Sequence, residues 1–182
     1  MKANPRPRKH RLAIFAVAAS VAIVASIAVA VPAAAYTLTG CYWPSANVTY
    51  KKSSPASYST EVSNSANSWT VLTDVNLSVN SSSTFNTRLS YDGATGFDGY
   101  STWNCPFSII LSADSRLNTY YVTTFTQQKR QAIWVHEMGH SLGLNHASSV
   151  NYVMWQSPAA FWNATGLYSP RSDDVAGMNF LY

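Results

Sequence analysis

Residues 131–146 read QAIWVHEMGHSLGLNH. Three imidazoles, a carboxylate and a glycine fall there at fixed spacing: His136, Glu137, His140, Gly143 and His146. In a helix reaching about residue 142, His136 and His140 lie one turn apart and share a face. Gly143 can take the left-handed conformation that ends a helix. A chain turning back there brings His146 to the other two. Three neutral imidazoles converging on one point suit a single zinc ion with its fourth position open to water. Glu137 follows directly on a ligand position and is placed to act on that water as a general base.

The rest of the chain concentrates attention on this stretch. The formal charge is +4, but residues 1–11 hold five of the twelve basic side chains. Residues 12–31 are an uncharged apolar run, and Pro32 with three alanines precedes Tyr36. A basic start, an apolar run and an A-x-A end predict a signal peptide over residues 1–35, removed on export. An uncleaved membrane anchor is the alternative, since twenty apolar residues can span a bilayer. Without the leader, seven basic residues face eight acidic ones, so the basic charge gives no support for a nucleic-acid partner. Residues 36–182 have the length of one domain with one core. Of the four histidines, only His10 lies outside the motif, and it falls in the leader.

Two cysteines remain, Cys41 and Cys105. In an exported chain an even count favours a disulfide, worth ~3–4 kcal/mol for so long a loop. The alternative is Cys41 as an inhibitory thiolate on the zinc.

Elements able to position the motif can be read from periodicity. Residues 48–51 and 75–79 read as strands, and residues 56–72 as an amphipathic helix with Tyr58, Val62, Ala66, Trp69 and Leu72 on one stripe. Residues 80–86 read as a loop, 87–91 as a third strand, 92–104 as turns rich in glycine, and 107–111 as a compact apolar strand. Thr124-x-x-Gln127 has the form of a capping box and predicts a helix start near Thr124. Ala132, Val135, Gly139 and Leu142 would face the core. Ser172 can cap a last helix whose apolar face is Val175, Met178 and Leu181, with Asp173 and Asp174 in its first turn.

The span His136–His146 resembles the zinc signature of the metzincin metallopeptidases. That family also has a methionine in a tight turn beneath the metal, and Met154 in NYVMW occupies the matching place. The closing segment RSDDVAGMNFLY, residues 171–182, is similar to the last helix of the matrixin-like branch. Gln156 stands where astacins and serralysins carry a tyrosine, and Ala147 where typical matrixins have serine. The resemblance implies an α+β fold, a zincin-like catalytic domain with a twisted mixed sheet, an active-site helix and a C-terminal helix.

It further implies a secreted zinc endopeptidase with one catalytic Zn²⁺ on His136, His140 and His146, Glu137 as the catalytic base and Met154 as a structural residue. Its partners would be protein or peptide substrates, with no nucleic acid, no stable membrane association after cleavage of the leader, and a monomeric state. Asp92, Asp98 and Asp114 offer carboxylates for calcium, or serve only as turn residues. Trp155, Phe161 and Trp162 would either line a substrate pocket or fill the core. Competing readings are a secreted adhesion module, given eleven Tyr and six Trp, and a zinc-binding homologue without activity.

Overall fold

Strand β1, Thr37–Leu38, leads to β2, Asn47–Lys52, whose Val48 and Tyr50 alternate inward and are buried. Helix α1, Ala56–Leu72, follows with Val62, Ala66 and Trp69 buried at three- and four-residue steps, the stripe expected of a helix lying on a sheet. It is the crossover that lets β3, Asn76–Val79, pair with β2 in parallel. Strands β4 (Phe85–Ser90), β5 (Gly99–Asn104) and β6 (Ser112–Asn118) complete the sheet in the order β3-β2-β4-β6-β5. Strand β4 runs parallel to β2 and β6, whereas β5 is antiparallel to β6 and forms one edge. A short helix α2 (Thr119–Val122), the long α3 (Gln127–Ser141), strand β7 (Leu144–Asn145), α4 (Pro158–Thr165) and α5 (Ser172–Leu181) follow. Helices α1 and α3 pack together, and Trp69 donates its indole N–H to the Val135 carbonyl at 3.0 Å. The fold is α+β with a mixed sheet, as expected.

This is a computed structural model, and it describes residues 35–182. The expected signal peptide therefore lies outside the described residues except for Ala35. Among the described residues no helix is long and apolar enough to cross a membrane.

Four local expectations are corrected. Residues 99–104 are strand β5, not turns. Strand β4 begins at Phe85, two residues before the expected start, inside the segment read as loop. Residues 107–111 are not a strand: Pro106–Ser108 forms a 3₁₀ turn in which Phe107 has φ +53° and is 99% exposed. The turn residues dock on the N-terminal segment instead, with Tyr42 N–H donating to the Ser108 carbonyl and Ile110 N–H to the Tyr42 carbonyl. The real strand is the next one, β6, which buries Ala113, Ser115 and Leu117 on alternate positions. Its inward serine hides the apolar alternation. Finally, Thr126 rather than Thr124 caps α3, accepting from Lys129 N–H at 3.3 Å.

Cys41 and Cys105 are joined by a disulfide across 64 residues, which removes Cys41 as a metal thiolate. The bond ties the N-terminal segment to the end of edge strand β5. Cross-linking so distant a pair restricts the unfolded chain, so Cys105→Ser should lower the free energy of unfolding by about 3–4 kcal/mol. Urea denaturation of the non-reduced proteins measures this, and coincident midpoints would contradict it.

Candidate active site

Helix α3 carries His136 and His140 on its sheet-edge side, and Leu142 closes its last turn. Gly143 follows with φ +110°, where a side chain is strained. A Cβ there would also overlap the Cys41 carbonyl oxygen. The chain reverses through β7, which pairs antiparallel with β1, and delivers His146. The Nε2 atoms of His136 and His140 lie 3.0 Å apart, and those of His140 and His146 3.2 Å apart.

The proton positions follow from the partners. His136 Nδ1 is 2.8 Å from the Val153 carbonyl and His140 Nδ1 is 2.8 Å from the Leu144 carbonyl. A carbonyl only accepts, so each Nδ1 carries the proton and each Nε2 a lone pair. The close His136–His140 contact is therefore two lone pairs facing one another, not a hydrogen bond. Burial holds all three imidazoles below their ordinary pKa, His140 to about 4. At neutral pH they are uncharged, the form a metal ligand needs.

Glu137 is buried beside them. Burial pushes its carboxyl up to about 8, opposed by a hydrogen bond from Ser101 and reinforced by the Asp98 charge. A dication at the triad would draw it back down. These groups open into one cleft of about 350 Å³, walled by Phe97, Asp98, Tyr100 and Trp103 on one side and by Gln156, Ser157 and Pro158 on the other.

Met154 is fully buried against Gly139 of α3. A Cβ on Gly139 would overlap its sulfur and stand 3.1 Å from the Trp69 ring, so the bare position lets Met154 and its turn seat against the helix as they do. The turn is anchored from the opposite end of the chain. Asp174 of α5 accepts from Val153 N–H at 3.0 Å, Met154 N–H at 3.1 Å and Arg171 N–H at 2.8 Å. Burial raises the Asp174 carboxyl to about 6 despite those three donors.

The donor set fits zinc. Imidazole bonds to zinc at 2.0–2.1 Å in a tetrahedron set the nitrogens roughly 3.3 Å apart, close to the spacing found. Each of two ligands already has its second nitrogen on a carbonyl, which fixes ring orientation. Among the described residues, this is the one group of three or more His, Cys, Asp or Glu with converging ligand atoms. The matrixin peptidase family model matches residues 65–182, more than half of the chain. The chain belongs to the matrixin family. No curated protein matches it. Matrixins are zinc metallopeptidases, so this matrixin comes from a family that uses a catalytic zinc and acts on proteins or peptides.

The three aspartates considered for calcium do not converge in this matrixin. Asp114 is paired with Arg88 and Arg116, Asp92 accepts from Ser90, and Asp98 lines the cleft. The calcium expectation has no support. Of the aromatics, Phe161 is core, and neither Trp155 nor Trp162 lines the cleft. Sequence reasoning overlooked Gly99, Ser101 and Trp103 on β5, because the glycines before them pointed to turns. The i, i+2, i+4 spacing of these three was the signal available.

Asp174→Ala would strand three backbone N–H groups, two of them on buried residues. It should cost about 3 kcal/mol or more of stability and weaken zinc affinity, because Val153 also holds His136. Thermal unfolding and competition with a zinc indicator read the two effects. An unchanged zinc affinity would separate the turn from the metal centre.

Proposed function

We propose that this protein is an exported zinc endopeptidase that hydrolyses peptide bonds with Glu137 as general base. The single observation that carries the reading is the convergence of three imidazole Nε2 atoms beside the Glu137 carboxyl at the head of an open cleft. His136, His140 and His146 are the ligands in this reading, and Met154 the residue that supports them from below. Zinc held by His136, His140 and His146 would supply Lewis-acid chemistry, lowering the pKa of a water to about 7 and polarising a substrate carbonyl. Glu137 takes the proton from the attacking water as the oxygen–carbon bond forms. It then delivers that proton to the amine nitrogen as the carbon–nitrogen bond breaks. The carboxylate returns to its starting state, so no proton is gained or lost over the cycle.

The cleft fits a peptide better than a compact ligand. Its upper wall is β5, an edge strand of the sheet, and an edge has free backbone groups with which an extended chain can pair. Export is supported by the leader read in the sequence, and the disulfide agrees with an oxidising destination. Glu137 argues against the inactive homologue, which has no use for it, and a binding module would need neither it nor the triad.

Glu137→Gln should retain one zinc per chain and lose turnover by about 10²-fold or more, while a chelator should abolish wild-type cleavage and added zinc restore it. Metal analysis with a fluorogenic peptide assay tests both. Chelator-insensitive cleavage, or wild-type turnover by the glutamine variant, would sink the proposal.

A further inference from the structure

We infer that Ser101 is the positioning residue for Glu137: its hydroxyl holds one carboxyl oxygen, leaving the other turned to the cleft. The inference rests on the peptidase reading above and deepens it. Gly99 and Ser101 are two residues apart on β5, so they share the face turned to α3. Both meet the same side chain. A Cβ on Gly99 would stand 3.1 Å from Glu137 Cγ, 3.1 Å from Oε1 and 2.7 Å from the Arg116 carbonyl oxygen. The bare glycine makes room for the carboxyl at its Oε1 end. Ser101 Oγ lies 2.9 Å from Oε2, the other end.

The hydroxyl protons can be counted. Ser101 Oγ also lies 2.7 Å from Glu137's own carbonyl and 3.2 Å from Ser115 Oγ, but one hydroxyl has one proton. Ser115 reaches the same carbonyl at 3.0 Å, and its oxygen is 2.7 Å from that of Ser141. These distances allow Ser141 to donate to Ser115 and Ser115 to the carbonyl, and in that arrangement the Ser101 proton is free for Oε2. Among the described residues no other donor reaches either oxygen of this carboxyl. A carboxylate accepts only, so Ser101 is the one protein group that can fix its rotation. Oε1 is then the oxygen that takes the proton from water and gives it to the amine. Ser101 itself exchanges no proton with substrate.

The test compares wild type, Ser101→Ala, Ser101→Thr and Glu137→Gln on one fluorogenic peptide, with zinc content measured on each. Ser101→Ala should keep one zinc per chain and a wild-type KM while kcat falls about 10- to 100-fold, the scale of one hydrogen bond to a charged group. Ser101→Thr returns a hydroxyl to a strand position that favours threonine, and should recover most of kcat. Wild-type kcat in Ser101→Ala overturns the inference. So does a threonine variant no better than alanine, or a loss explained wholly by missing zinc or by KM. A wild type that does not cleave, or an active Glu137→Gln, removes the peptidase reading and this inference together. Failure of Ser101→Ala alone leaves the reading intact.

Discussion

Three neutral imidazoles converge on one point, and the lone pairs of His136 and His140, 3.0 Å apart, repel unless a cation lies between them; burial strengthens that repulsion by removing water. The arrangement must therefore be imposed by the surrounding chain. Two rings are pinned through Nδ1 to backbone carbonyls. The third is brought in by a reversal that only Gly143 permits and that β1 clamps from outside, with Thr37 donating its hydroxyl to the His146 carbonyl at 2.7 Å. Zinc would convert the repulsion into bonding, so the free energy of binding also stabilises the fold.

The clamp on His136 extends through the molecule. Asp174 holds the backbone of Val153 and Met154, Val153 holds the His136 ring, and Met154 seats against Gly139 one helical turn from His136. The last helix thus bears on the metal site without touching it. Its own start is fixed by the same carboxylate through Arg171. One buried carboxyl sets the entry of α5 and the shape of the turn, and its three N–H donors offset only part of the cost of burying its charge.

The convergence of His136, His140 and His146 was legible because metal-binding chemistry fixes both residue type and spacing on a helix. Met154 was legible only through resemblance, since a lone methionine is ordinary core. α1 followed from apolar periodicity, which survives where one face is buried and the other wet; the closing helix was placed, but Arg171 rather than Ser172 is its N-cap, and Met178 alone of the expected stripe is buried. Strands β5 and β6 were missed for one physical reason. β5 lines the cleft and β6 packs behind it against α3, and they bury Gly99, Ser115 and Asn118 where an ordinary core strand has Val or Ile, so polar contacts overwrote the alternation that marks a strand. The apolar run at residues 107–111 misled in the opposite sense. Its Ile110 is buried, but Phe107 projects into solvent from a turn governed by Pro106 and the neighbouring disulfide.

The position of β5 explains why that overwriting is tolerated. As an edge strand it pairs, among the described residues, with β6 alone, so a weak strand former such as Gly99 costs it less than it would cost a central strand with two partners to register. Trp103 at the same face period stacks beside His140, ring centroids 6.5 Å apart, and the disulfide at Cys105 secures the strand's end. One side of β5 is thereby committed to α3 and its polar residues, while its outer backbone stays unpaired. A central strand could meet the first demand but not the second. Only an edge strand, held at its end by a covalent bond, can adjoin Glu137 and still offer free N–H and C=O groups to a peptide.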